Sequence, residues 1–261
     1  NWGNLKNISA REWFAILFIG ICGSALAAVA FTESFHYVNP SVSIVLQKIQ
    51  PLIAIALAWW MLGERMHKSF WLWAVVALGA AYLVSFPNLV PQLYAGEVFN
   101  PNLIGSLLAL TAAARWGAST VFGKYVLRTA AFQTLTSLRF VVGLVFLILL
   151  NAAQGTFPAP GVITGTDVLF LFIVALTSGV FSLFLYYYGL QFTKASIATI
   201  AELGFPLAAV FVNAYFIPGN QAVGTYFGLY AGQWLGTILL LVAMLMLSRV
   251  NRESQTTVAA G

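Results

Sequence analysis

Charge is what this sequence has least of. Of its 261 residues, 12 are Lys or Arg and 7 are Asp or Glu, so only 7% are charged. A soluble domain carries about 25%. Cysteine is reduced to Cys22, which excludes an internal disulfide and any cysteine-rich metal site. His36 and His67 are the only histidines, leaving a His-based metal centre without its usual ligand set. No Walker-type phosphate loop, GxSxG elbow or HExxH pair stands in the chain, so neither ATP drive nor hydrolytic chemistry has a motif to rest on. No cofactor is expected.

What the chain does have is apolar surface. Hydrophobic residues make up 61% of it and the mean hydropathy is +0.89, more than a water-soluble fold could hide. The expected class is an all-α polytopic membrane protein whose surroundings are a lipid bilayer. A net charge of +5 would suggest nucleic acid in a soluble chain, but here the basic residues read as topology signals and no nucleic-acid partner is expected.

A helix needs about 20 residues to cross the hydrocarbon. Eight stretches qualify: Trp13–Tyr37, Val42–Leu62, Phe70–Phe86, Leu103–Tyr125, Gln133–Leu150, Val168–Phe192, Ile197–Ile217 and Tyr226–Leu247. Lys and Arg fall in alternate loops: Lys6 and Arg11, then Arg65 and Lys68, Lys124 and Arg128, Lys194, and Arg249 and Arg252. The intervening loops hold none. By the positive-inside rule both ends of this chain face the cytoplasm, and the expected location is a bacterial plasma membrane. Apart from Lys124, one residue inside the end of the fourth span, only Lys48, Arg115 and Arg139 lie within spans.

The chain also repeats itself. At an offset of 155, Ser41 meets Ser196, Gln47 meets Glu202, Pro51 meets Pro206 and Leu52 meets Leu207. The spans pair first with sixth, second with seventh and third with eighth. A period of five spans reverses orientation, which predicts an inverted repeat with binding near the midplane between the halves. The fourth and fifth spans would find their partners upstream of the first, so eight of an expected ten spans are present.

Polar residues at helical spacing mark the path. Gly179, Ser182, Tyr186 and Gly189 share a face of the sixth span, and Ser196, Thr199, Glu202, Pro206 and Asn213 one of the seventh. Thr111, Arg115 and Ser119 align on the fourth. Small and hydroxyl residues also serve plain helix packing, but charges at mid-span are costly and face the bundle interior. The expected substrate cavity is therefore lined by Gln47, Lys48, Gln50, Arg115, Ser182, Tyr186, Thr199 and Glu202, with Pro51 and Pro206 as hinges. Lys48 is expected to lie close to Glu202. Lys48, Arg115 and Glu202 sum to +1, pointing to an anionic or zwitterionic solute. Arg139 reads as structural, snorkelling to the nearby boundary, and Glu64, Arg65 and Lys68 as boundary anchors. Gly224, Gly228, Gly232 and Gly236, four apart, read as a tight helix seam or a homodimer face.

Several segments together resemble a known family. "LQKIQPLIAIALAWWMLGER" (Leu46–Arg65), "AARWGASTVFGK" (Ala113–Lys124), "LTSLRF" (Leu135–Phe140), "LFLYYYGLQFTKASIATIAELGFPLAAV" (Leu183–Val210) and "QWLGTILLLVAML" (Gln233–Leu245) occur in order. They are similar to EamA-type permeases of the drug/metabolite transporter superfamily, which carry two five-helix repeats. The resemblance implies three closing helices of a first repeat in residues 1–92, a second repeat in 93–248, and a cytoplasmic tail in 249–261. One departure stands out: where the first half has Gly63-Glu64-Arg65, the second has Pro218-Gly219-Asn220. The resemblance implies a secondary carrier that exports or exchanges a small-molecule substrate by alternating access. A channel or non-transporting subunit, and a membrane-embedded enzyme, are the alternatives.

Overall fold

The computed structural model describes residues 8–38, 40–85, 103–157, 162–204 and 231–259. Among them all regular structure is helical. Three helices, Ala10–Ser34, Phe132–Gln154 and Gly165–Phe192, are long and apolar enough to cross a membrane by length and composition alone.

The first, α1 (Ala10–Ser34), opens on a capping box: the Ser9 hydroxyl accepts from the Glu12 amide, and the Glu12 carboxylate accepts from the Ser9 amide. It widens into π-helical turns over Ile19–Leu26 before returning to α-helix. The expected second span is not one helix but two. Here α2 (Pro40–Gln47) stops and α3 (Gln50–Leu62) begins, with a turn at Lys48 and Ile49. Pro51 is the cause. Placed in the first turn of α3, it offers no amide, and its ring would collide with the carbonyl four residues back, at Gln47. Next, α3 ends at Gly63, whose φ of 68° is a left-handed stop that a side chain would resist.

α4 (Lys68–Ser85), α5 (Leu103–Val126) and α6 (Phe132–Gln154) follow close to their expected bounds. α7 (Gly165–Phe192) repeats the pattern of α1, with π-helical turns over Ala175–Phe181. In both helices a serine five residues on returns its hydroxyl to a carbonyl in these turns, Ser24 to Ile19 at 3.1 Å and Ser182 to Thr177 at 2.8 Å. α8 (Ala195–Ala201) runs into a 3₁₀ turn at Glu202–Gly204. The rest of the expected seventh span, with Pro206 and Asn213, lies outside the described residues. α9 (Ala231–Ala259) carries the eighth span from Ala231 onward and continues as helix into the expected tail.

The helix α5 is the hub, touching α1, α2, α3, α7 and α8. It does so through small residues. A Cβ on Gly117 would lie 3.0 Å from the Gln50 carbonyl oxygen, so the α3 backbone rides directly on α5. Close backbone approach is the main attraction left to helices whose surroundings are as apolar as their own side chains. The same logic joins α9 to α4: a Cβ on Gly236 would meet the Ala80 carbonyl at 2.9 Å. The glycine stripe is thus a seam within the chain at Gly236, while Gly224 and Gly228 lie outside the described residues.

Two apolar clusters form on either side of the hub. One joins α3, α4, α8 and α9 through Ile55, Phe70, Ile200 and Leu240, and the other joins α1, α5, α6 and α7 through Ile16, Val126, Leu135 and Leu190. Away from both, seven consecutive apolar residues of α7, Val168 to Val174, are each 46–62% exposed, on every side of the helix.

Candidate functional site

The polar groups gather where the helices break. Glu202 sits at the C-terminal end of α8, just where its α-helical turns give way. Its carboxylate accepts three hydrogen bonds from three other helices. Gln50 Nε2, from the first turn of α3, donates to Oε2 at 2.6 Å. The Tyr186 hydroxyl of α7 donates to Oε1 at 2.7 Å, and Thr120 Oγ1 of α5 lies 3.2 Å from the same oxygen. Thr120 Oγ1 and the Tyr186 oxygen are 2.9 Å apart, but with both hydroxyl protons given to Oε1 this contact adds no further hydrogen bond. Helices of both apolar clusters therefore meet at one carboxyl group. Bonds to an ionised partner are worth about 1.5–3 kcal/mol each, roughly twice a neutral one, so this junction is a strong tie.

Two cavities share it as a wall. One, of about 410 Å³, is lined by Gln47, Lys48, Gln50, Pro51, Thr199 and Glu202. The other, of about 390 Å³, is lined by Gln47, Gln50 and Glu202 again, with Trp116, Ser119 and Thr120 of α5. Its remaining wall is Arg139 of α6 and Ser182, Tyr186 and Tyr187 of α7. Each lies within the 300–1,000 Å³ range of small-molecule sites, and the second has their usual mixture of aromatic walls and a few convergent polar groups.

Most residues singled out in the sequence come together here. Gln47, Lys48, Gln50, Thr199 and Glu202 line the first cavity, and Ser182 and Tyr186 the second. Thr199 is fully buried, and among the described residues its hydroxyl has no partner. Arg115 stands apart, donating from Nη1 at 3.1 Å to the Leu26 carbonyl, where the π-helical turns of α1 end. That carbonyl belongs to a stretch with irregular hydrogen bonding, which explains the need for a strong donor. Lys48 lines the cavity, but the donors on Glu202 among the described residues are Gln50, Thr120 and Tyr186. Pro51 ends the α2–α3 break, and Pro206 lies outside the described residues.

Arg139 departs from its expected direction. Instead of snorkelling, it turns into the bundle. Nε donates to Ser24 Oγ at 2.7 Å, Nη1 donates to the Tyr187 hydroxyl at 2.7 Å, and the guanidinium lies 5.6 Å from the Tyr187 ring centroid. Glu64 departs too. Its carboxylate accepts from the backbone amides of Ala195 at 2.8 Å and Ser196 at 3.1 Å, and from the Ser196 hydroxyl. The first amides of a helix have no partner inside it, and the N-cap of α8, Lys194, contributes no side chain. Glu64 supplies that cap from the end of α3. Thr120 and Trp116 were not singled out at all, although the Ser119-Thr120 doublet is the one polar pair in the inner half of α5 before Lys124.

In sequence and in fold the chain is similar to known transporters. A family model described as "EamA-like transporter family" matches residues 1–86 and 103–249. Over 251 residues the chain is 30% identical to the "Riboflavin transporter ImpX" of Fusobacterium nucleatum, covering 95% of this chain and 80% of that protein. It is 24% identical over 248 residues to the "Uncharacterized transporter YwfM" of Bacillus subtilis, covering 95% and 77%. A solved crystal structure superposes with a TM-score of 0.69 at 13% identity, over 96% of this chain and 82% of that one, which shows a shared fold. Both named relatives are transporters, so the chain is an integral membrane transporter of a small molecule and not an enzyme. With the family model matched over most of its length, this chain belongs to the EamA-like transporter family.

Proposed function

We propose that the protein is a secondary carrier for a planar, hydrogen-bonding metabolite of the flavin kind, which it exchanges across the membrane by alternating access. The carrying observation is the Glu202 junction. It links the start of α3, through Gln50, to the end of α8, through Glu202 itself, and it forms the wall common to two cavities. Breaking the Gln50–Glu202 bond would join the cavities, and remaking it would separate them. The interruptions at Lys48–Ile49 and at Glu202–Gly204 are where the helices can bend without losing intact α-helical turns. The flavin class rests on the printed name of the 30% identical relative, and on the aromatic walls supplied by Trp116, Tyr186 and Tyr187.

The same reading divides the chain at residue 92 into the end of one repeat and a whole second repeat. The paired π-helical turns of α1 and α7, each with its serine, support that division. It sets the chain in a plasma membrane with both of its ends in the cytoplasm, on the alternation of basic loops. The bilayer would cover the apolar turns of α7. Since α4 fills the seam at Gly236, a homodimer would have to use another face.

The test is counterflow. Purified protein in liposomes preloaded with unlabelled riboflavin should take up labelled riboflavin faster than unloaded vesicles, and the uptake should saturate. Uptake that is linear in concentration and indifferent to preloading would instead favour a channel.

A further inference from the structure

We propose that Arg139 is the specificity-determining residue of the cavity, reading the carbonyl edge of an uncharged planar ring; this rests on the transport reading above. The guanidinium is held as a substrate-reading group would be. Ser24 gives its proton to the Ile19 carbonyl, exposed by the π-helical turns of α1, and so presents its lone pairs to Nε of Arg139. The Tyr187 hydroxyl fixes Nη1. Tyr187 is itself immobile, fully buried and packed on Gly123, where a Cβ would lie 2.8 Å from its ring. Two anchored nitrogens fix the plane of the fork. Among the described residues nothing accepts from the third, Nη2, and Arg139 lines the 390 Å³ cavity.

The electrostatics point the same way. A cation within a membrane bundle normally pairs with a carboxylate, yet both hydrogen-bond partners of Arg139 are neutral hydroxyls. It is left with an unmet preference for acceptor oxygens. Glu202 lines the same cavity and already accepts from three protein donors. A bound anion would sit against Glu202, and a bound cation against Arg139. An uncharged ring with carbonyl oxygens satisfies both walls, and Trp116 and Tyr186 add aromatic lining.

Counterflow in liposomes tests this with four probes: riboflavin, uracil, benzoate and tetraphenylphosphonium. Wild type is compared with Arg139→Gln, Arg139→Lys, Tyr187→Phe and, as a control on the outer face of the same helix, Leu144→Ala, a residue 59% exposed. The expected result is transport of riboflavin, uracil or both. Arg139→Gln should raise KM roughly ten- to hundred-fold at retained maximal rate, the worth of one charged hydrogen bond. Arg139→Lys should fall between, Tyr187→Phe should show a smaller rise, and Leu144→Ala should match wild type. A merely structural arginine would lower the amount of folded protein, or the maximal rate, without moving KM. Unchanged KM in Arg139→Gln overturns the proposal, as does a wild type that prefers benzoate or tetraphenylphosphonium or carries none of the four. If Arg139→Gln fails to reach the membrane, Tyr187→Phe decides, and its unchanged KM overturns the proposal. If uracil is carried and riboflavin is not, the flavin reading fails while Arg139 is still judged on the uracil KM.

Discussion

Residue by residue, the polar atoms of this bundle are few, and several of them meet at Glu202. Glu202, Gln50, Thr120 and Tyr186 come from four helices and saturate one another. Tyr186 is the member that can be trimmed with least disturbance. Tyr186→Phe removes one donor to Oε1 and leaves Thr120 and Gln50 in place. Transport should fall roughly ten-fold, in line with the loss of one hydrogen bond to a charged group, while the amount of folded protein stays near wild type. Initial counterflow rates at matched membrane amounts measure it, and a wild-type rate would show that the Tyr186 bond is not part of the working site. Gln47, Gln50 and Glu202 were legible in the sequence because a polar residue in an apolar run is conspicuous. The direction of Arg139 was not legible, because its depth from the helix end says how far it is from water, not which way the side chain turns. Only the hydroxyls of Ser24 and Tyr187, 115 and 48 residues away, decide that.

At the scale of elements, the breaks matter more than the helices. Pro51 could be read in advance as a point of weakness, and the structure puts the break on its N-terminal side, where the proline ring forbids the Gln47 carbonyl its helical place. The π-helical turns of α1 and α7 were not legible, since no residue type demands them. The cap on α8 was not legible either, because its donor and acceptor lie 131 residues apart. That cap supports the most direct prediction at this scale. Glu64→Ala strands the Ala195 and Ser196 amides and should cost about 1–2 kcal/mol, as the loss of an N-cap does. The apparent melting temperature should drop by roughly 2–8 °C, with Glu64→Gln losing less. A melting curve in detergent that superposes on wild type would mean the cap is dispensable.

For the whole molecule, the orientation proposed from the alternation of basic loops can be tested directly. On that proposal the loop between α6 and α7 lies outside. A cysteine at Val162, which is 66% exposed, in a chain whose Cys22 is replaced by Ala, should be labelled in intact cells by a membrane-impermeant maleimide. A cysteine at Arg249 should be labelled only after the membrane is opened. The reverse pattern would invert the protein. The all-helical class was plain from composition, because 7% charge leaves no soluble alternative. Which helices touch was not, because association in lipid depends on close approaches such as Gly117 on Gln50 and Gly236 on Ala80. A glycine in a sequence does not name its partner.

The central claim is that transport passes through the Glu202 junction, and Glu202→Gln tests it most directly. The substitution keeps the side chain's size. It replaces one acceptor oxygen with a donating amide that must face either Gln50 Nε2 or the pair Thr120 and Tyr186. At equal amounts in the liposome membrane, riboflavin counterflow by Glu202→Gln should fall roughly five- to hundred-fold below wild type, since a buried donor left unpaired costs about 1–3 kcal/mol. Counterflow with the KM and maximal rate of wild type would contradict the account.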